Sequence, residues 1–165
     1  MEAASLPYAR RMSPSGTAAV LDAVLSDRPA VASHLADLER AAWSSVDPVV
    51  LELCRVRIAM LLGCAEEAQA RSGEAIARGL DETTLDDLPM WPTSSRFGPR
   101  ERACLAFCEQ FVIDVAGMSD DLAFAVAEHL GPQGLADFTA ALLVVEQRQR
   151  LRLAWERLLE PVGGA

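Results

Sequence analysis

The segment from Asp47-Pro48 to Gly63 constrains the fold of this chain more than any other part of the sequence. Asp is a favoured N-cap residue and Pro is favoured at the first helical position, so the pair predicts a helix start. Residues 49–62 are apolar on almost every side, and their charged exceptions are Glu52, Arg55 and Arg57. Such a helix is usually buried at the centre of a domain, and Gly63 breaks it. We therefore expect a central helix against which the other elements pack.

Further helix signals are spread along the chain. A chain of 165 residues suits one domain, and its Ala-rich and Leu-rich composition favours helix over sheet. A single helix is predicted from Cys64 to Arg78, before Gly79. The other predicted helices begin at Thr17, Pro29, Asp81, Pro99, Ser119 and Pro132. No segment alternates with the period of a strand, so we predict an all-α, single-domain bundle of about seven helices over residues 17–160. Residues 1–16 are predicted to form an extended N-terminal arm.

Composition also excludes several classes of function. The net charge of -9 argues against a protein that binds nucleic acid. No apolar run approaches the roughly 20 residues that a membrane span needs. The N-terminus lacks the basic and apolar regions of a signal peptide, so we expect a cytoplasmic protein. In that compartment the four cysteines are expected to be free thiols rather than a disulfide framework.

A motif of charged and thiol residues spans positions 52–71. Glu52 is followed by Arg57 in the apolar helix and then by Gly63-Cys64. This order resembles the core motif of the carboxymuconolactone decarboxylase / alkylhydroperoxidase D-like family, in which Glu, Arg, Gly-Cys-x-x-Cys and a His follow one another. Downstream matches to that family are Trp91, the segment 97–103 and Gln147-Arg148. The resemblance covers about residues 18–158 and implies the helical fold of that family and a homo-oligomer, commonly a trimer or a hexamer.

Two departures from the family motif bear on the chemistry. Glu67 stands where the second Cys of the motif is expected, and Arg71 stands where the His is expected. The resemblance implies a thiol pair that reduces peroxides, with Glu and His relaying protons. One thiol cannot form that disulfide, and a guanidinium stays protonated near neutral pH. The two-cysteine peroxidase mechanism is therefore predicted to be lost.

Cys64 and Glu67 are the first two candidate catalytic residues. Cys64 at a helix N-terminus is expected to have a lowered pKa and to serve as a nucleophile or form a sulfenic acid. The alternative is a small residue that merely fits a tight helix start. Glu66 and Glu67 lie in the first helical turn, where acidic residues are stabilising without any further function. In the family the position of Glu67 faces the pocket, which makes its carboxylate a candidate base or ligand anchor.

Glu52 completes the catalytic candidates, and Arg57 and Arg71 are the candidate substrate-binding residues. A buried Glu52 must be paired or protonated, so it is either a general base or a structural partner of Arg57, Arg71 or Arg102. Arg71 either forms a helix salt bridge with Glu67 or binds an anionic substrate group. The sequence does not determine whether Gln147 and Arg148 reach the pocket.

The remaining cysteines and histidines carry no metal or cofactor signal. Cys104 and Cys108 lie one turn apart on a predicted helix, next to further apolar residues, so we interpret them as core residues. His34 and His129 lack the spacing of metal ligands. No glycine-rich phosphate loop is present. We therefore expect no metal and no cofactor.

Three functions remain open. The first is a cofactor-free acid–base enzyme, such as a decarboxylase, lyase or isomerase, acting on a small organic acid. The second is a single-cysteine peroxidase that uses Cys64, with an external thiol to resolve the sulfenic acid. The third is a non-catalytic small-molecule binder or assembly subunit. The sequence favours the first of these.

Overall fold

The computed structural model of this protein describes residues 24–159, and in that range it contains α-helices and no strand. The predicted all-α fold is confirmed. The predicted arm and most of the helix predicted from Thr17 lie outside the described residues, although residues 24–26 are helical. The α-helical elements that lie wholly within the described range are α1 (Pro29–Ser45), α2 (Pro48–Leu62), α3 (Ala65–Gln69), α4 (Gly73–Ala77), α5 (Glu82–Asp86), α6 (Pro99–Ile113) and α7 (Asp120–Leu159).

Helix α2 is the centre of the fold, as the sequence predicts. The Asp47 carboxylate accepts hydrogen bonds from the backbone N–H groups of Val49 at 2.9 Å and Val50 at 3.3 Å. Gly63 ends the helix with a φ of 72°, in the left-handed region that Gly adopts without strain. Ten of the fifteen residues of α2 are buried, and the helix packs against α3, α4, α6 and α7.

The helix predicted from Cys64 to Arg78 is instead two short helices, α3 and α4, so that prediction was wrong. Ala70 is extended, with a φ of -65° and a ψ of 151°. Two side chains of α2 hold this break. Arg55 Nη2 donates to the Ala70 carbonyl oxygen at 2.6 Å, and the Ser72 N–H donates to Glu52 Oε1 at 2.9 Å. The Ala70 carbonyl oxygen and the Ser72 N–H bind these buried charged side chains, so they do not form the hydrogen bonds of a continuous helix.

Helix α7 carries a break at the predicted position. Gly131 has a φ of 77° and a ψ of 167°, which is not helical, and Pro132 follows it. The range Asp120–Leu159 therefore comprises two helical segments that meet at a kink at Gly131. The helix predicted to begin at Asp81 is short, Glu82–Asp86, with Asp81 as its N-cap, and the 3-10 turn Leu88–Met90 follows it.

The apolar core lies where α2 meets α6 and α7, and α1 packs on the outer side of α7. Cys104 and Cys108 are fully buried in this core with Leu105, Phe138 and Leu142. Their predicted role as core residues is thereby confirmed. Within the described range, no helix is long and apolar enough to cross a membrane.

Candidate functional site

A cavity of about 360 Å³ lies between α1, α2, the segment from α3 to α4, and α7. This volume falls in the range of roughly 300–1,000 Å³ that is typical of small-molecule sites. The apolar part of the wall consists of Ala42, Trp43, Ala70, Val144 and Val145. The polar part consists of Glu39, Arg55, Glu67, Arg71, Ser72, Glu74, Arg148 and Gln149. The wall therefore combines apolar surface with charges of both signs.

Arg55 joins two carboxylates beside the cavity. Its Nε and Nη2 donate to the Glu52 carboxylate at 2.7 and 2.8 Å, and its Nη1 donates to Glu67 Oε2 at 3.0 Å. Its remaining donors bind the backbone carbonyl oxygens of Glu67 and Ala70, each at 2.6 Å. All five N–H donors of a guanidinium are thus used. An arginine with every donor occupied holds the two carboxylates and the two backbone carbonyl groups in fixed positions.

Glu52 is held away from the cavity as the partner of Arg55. Its side chain is completely buried, with 0% of the residue exposed, and it does not line the cavity. The expected partners Arg57, Arg71 and Arg102 were wrong. Arg55 takes that place because residues three apart meet on one helix face. With three donors on its two oxygens, counting the Ser72 N–H, Glu52 positions Arg55 and the break after α3.

Glu67 is part of the cavity wall, at the first turn of α3, and is 5% exposed. Arg152 Nη1 donates to its Oε1 at 3.0 Å, opposite the Arg55 contact on Oε2. Arg148 Nε lies 3.7 Å from the same Oε1. Glu67 is therefore a hydrogen-bond acceptor that two arginines hold at the cavity wall, with a third arginine nearby.

The sequence alone did not indicate that Arg55 and Arg152 are site residues. Arg152 reaches Glu67 from α7, and it also contacts Glu66 and, at 3.0 Å, Glu156. The available signal was spacing: Glu52 and Arg55 are three residues apart, and Arg152 and Glu156 are four apart. Spacing indicates helix-surface pairs, but it does not show that two such pairs meet at one carboxylate.

Arg148 lines the cavity and Gln147 does not, which answers the question that the sequence left open. Arg148 Nη1 binds Glu39 Oε1 of α1 at 2.6 Å, and both side chains are partly exposed. Gln149, the next residue of α7, is also part of the wall. Its Nε2 donates to the backbone carbonyl oxygen of Arg55 at 3.0 Å.

Arg71 also belongs to the wall, but it does not pair with Glu67 as one prediction had it. Helix α3 ends at Gln69, so the i,i+4 geometry is absent. Arg71 instead binds the Glu82 carboxylate with Nε at 2.9 Å and Nη2 at 3.0 Å. This hydrogen-bonded partner raises the pKa of Arg71, opposed by burial. The guanidinium remains partly exposed at the cavity.

Arg57 lies outside this cavity. Its Nε binds Glu109 Oε1 of α6 at 2.5 Å, and the indole N–H of Trp91 donates to the same oxygen at 2.7 Å. The structure therefore places Arg57 with the loop before α6. It does not bring Arg57 together with Glu67, Arg71 and Arg148.

Cys64 is buried directly before α3, with 2% of the residue exposed, and it does not line the cavity. Burial raises the pKa of the Cys64 thiol, although the Glu67 backbone N–H and the charge of Arg152 oppose that effect. The lowered pKa expected from the helix N-terminus was wrong. The field of a helix of only five residues is small, and burial disfavours the thiolate more strongly.

Comparisons with known proteins agree with this fold and motif. The sequence profile described as the carboxymuconolactone decarboxylase family matches residues 29–110. An uncharacterized Bacillus subtilis (strain 168) protein, YdfG, is 24% identical over 120 residues, which cover 72% of this chain and 82% of that protein.

A solved structure gives the same result for the fold. It is the structure of ATU0492, an Agrobacterium tumefaciens protein of unknown function that has been described as a putative antioxidant defence protein AhpD. Its similarity to this chain has a TM-score of 0.73 at 21% identity, covering 81% of this chain and 92% of the other. At that identity the likeness shows the fold alone.

Proposed function

The chain belongs to the carboxymuconolactone decarboxylase family, and we propose that it is a cofactor-free acid–base enzyme acting on a small organic acid. One observation carries this proposal. The Glu67 carboxylate replaces a thiol of the family motif and is part of the wall of a cavity large enough for a small molecule. Arg55 and Arg152 fix its two oxygens, so the group is held in one orientation.

The partly exposed arginines of the wall supply the binding of an acid. Arg148 and Arg71 each form an ion pair with a carboxylate of the protein, Glu39 and Glu82 respectively. A substrate carboxylate offers the same bidentate geometry and can take the place of either partner. Because Arg148 lies beside Glu67, an acid bound there has its neighbouring carbon atoms close to the base. The role first assigned to Arg57 passes to Arg148 in this proposal.

The chemistry asked of Glu67 is the transfer of one proton. In an isomerisation, Glu67 removes a proton from one carbon of the substrate and returns it to another. In a decarboxylation, the C–C bond to the carboxylate breaks and CO2 leaves. The electron pair of that bond passes to a conjugated carbonyl group, and the resulting enolate takes a proton that Glu67 relays from water. Neither reaction requires an oxidant or a reductant. Glu52 acts as a positioning residue because it holds Arg55.

The single-cysteine peroxidase receives less support. A peroxide must reach a thiolate, but the Cys64 thiol is covered and its pKa is raised by burial. Cys64 also does not line the cavity that would admit a substrate.

One observation favours a second candidate, the non-catalytic binder. Each oxygen of Glu67 already accepts a hydrogen bond of 3.0 Å from an arginine. With both oxygens occupied, this carboxylate is less available to accept a proton from a ligand. The same cavity would then bind a small organic acid and leave it unchanged.

The test is a screen for proton transfer in D2O. Wild-type protein is incubated with carboxymuconolactone and with small unsaturated and oxo acids, and NMR follows deuterium incorporation and CO2 release. We expect Glu67→Gln to lower turnover about 10²–10⁴-fold, the usual contribution of a general base. Glu128→Gln, which removes an exposed carboxylate of α7 outside the cavity, is the charge-matched control and should retain turnover. Full turnover by Glu67→Gln would contradict the proposal, and binding without turnover in wild type would favour the binder.

A further inference from the structure

Gln149 is a buried cavity-wall residue with one unused polar atom. Only 1% of the residue is exposed. Its Nε2 donates to the Arg55 carbonyl oxygen at 3.0 Å, whereas its Oε1 has no hydrogen-bond partner among residues 24–159. The orientation of the amide follows from this contact, because the Arg55 carbonyl accepts a hydrogen bond and so requires the NH2 group. The free atom is therefore an acceptor.

An unpaired buried acceptor stands out against the rest of the wall. The buried charged groups beside it, Arg55 and Glu67, have partners at every donor or oxygen. Buried polar groups are nearly always paired because leaving one unpaired is destabilising. An exception in the wall of a small-molecule cavity indicates a ligand group that donates a hydrogen bond.

The residues around Gln149 indicate which chemical groups such a ligand would carry. Its neighbour Arg148 offers a partly exposed guanidinium to an anion, and both residues are in the cavity wall. The Gln149 oxygen itself is covered, so a contact with a ligand requires the long side chains of the wall to move. A carboxylate that draws Arg148 away from Glu39 is one cause of such an adjustment.

We propose that Gln149 determines specificity for small hydroxy acids, with the ligand hydroxyl donating to Gln149 Oε1 and the ligand carboxylate bound by Arg148. This inference rests on the proposed function, because it specifies the substrate class of the same cavity. An acid that places an alkyl group or a carbonyl at that point leaves Oε1 unpaired. The site then discriminates against it more strongly than an apolar pocket would.

The experiment compares acids that differ by one hydroxyl group. Calorimetric titration measures the binding of lactate against propionate, 3-hydroxybutyrate against butyrate, malate against succinate and 4-hydroxybenzoate against benzoate. We expect the hydroxylated member of at least one pair to bind wild type about tenfold more tightly, the difference of one buried hydrogen bond. Gln149→Met should lose that preference. Gln147→Met, an exposed residue of the same helix outside the cavity, should keep it.

The possible outcomes separate the two proposals. If acids bind wild type with equal affinity in every pair, or if Gln149→Met keeps the preference, the hydroxy-acid inference is overturned while the acid-binding cavity stands. If no acid of the series binds wild type, this inference is overturned, and the proposed function is overturned with it when the unsaturated and oxo acids also fail to bind. The wild-type comparison alone decides against the inference even if Gln149→Met does not fold.

Discussion

Two faces of helix α2 are both buried, but their chemistry differs. On one face Glu52 and Arg55 form ion pairs beside the cavity, and on the other Cys54 packs against α6. Cys54 Sγ donates to the Cys104 carbonyl oxygen at 3.8 Å, and Cys108 Sγ donates to the Cys54 carbonyl oxygen at 3.7 Å. Ion pairs stabilise the face of α2 that lies nearer the cavity. Apolar packing stabilises the opposite face, where Cys54 contacts Cys104 and Cys108 of α6.

The cysteine side chains therefore lie apart from the cavity that is the candidate functional site. In the described range all four cysteines are buried and free, and none lines the cavity. The cavity wall carries carboxylates and guanidinium groups instead. A site that exchanges thiols for fixed charges is suited to proton transfer and anion binding, rather than to disulfide chemistry.

The largest effect is expected on the charged face. Arg55→Met leaves Glu52 unpaired in a fully buried position and removes one partner of Glu67. Removing one partner of a buried ion pair should lower the free energy of unfolding by about 3–5 kcal/mol, as measured by urea denaturation. Arg57→Met on the same helix is the control. Its pair with Glu109 is about one-fifth exposed, and Trp91 still donates to Glu109 after the substitution, so a smaller loss is expected than for Arg55→Met. Equal losses for the two variants would show that the ion pairs beside the cavity contribute no more to the free energy of unfolding than the pair of Arg57 and Glu109.

A comparable but smaller effect is expected on the apolar face. Leu105 is fully buried in α6 against α2, so Leu105→Ala should lower the free energy of unfolding by about 2–5 kcal/mol through lost packing and a new cavity. Leu143→Ala, at a half-exposed position of α7, should change it by less than about 1 kcal/mol. Urea denaturation of both variants tests this. A negligible loss for Leu105→Ala would mean that the helix interface is not a packed core.

The smallest effect is expected in the reactivity of the thiols. Burial raises the pKa of Cys64 and Cys54, and it raises the pKa of Cys104 to about 12. The thiolate is the reactive form, so at neutral pH the folded protein should react slowly with a disulfide reagent such as 5,5′-dithiobis(2-nitrobenzoic acid). Reaction should accelerate as the pH rises towards the raised values, and unfolding in urea should release all four thiols. Rapid reaction of one thiol in the folded protein at neutral pH would contradict this interpretation.

The sequence predicted those parts of the fold that depend on local signals. The start of α2 at Asp47-Pro48, its end at Gly63 and the break at Gly131 each follow from the backbone preference of one or two residues. The core positions of Cys104 and Cys108 follow from their place on an apolar helix face. Periodicity and capping suffice for features of this kind.

The arrangement of the site depends on contacts between distant residues, which one sequence does not show. Arg152 lies 85 positions after Glu67, and Gln149 lies 94 positions after Arg55. The partners of Arg71 and Arg57 could not be predicted for the same reason. Buried side chains of α2 bind the backbone at the break after α3, and Ser72, which caps α4, is a local signal for this break that the prediction of a single helix overlooked.

Peroxide turnover with a dithiol reductant tests most directly whether the site has exchanged thiol chemistry for carboxylate chemistry. The measurement compares wild type with Cys64→Ser, which removes the one thiol of the family motif that remains. We expect the two proteins to consume peroxide at the same background rate, because Cys64 is buried and its pKa is raised. Turnover by wild type that disappears in Cys64→Ser would contradict the account and identify a single-cysteine peroxidase.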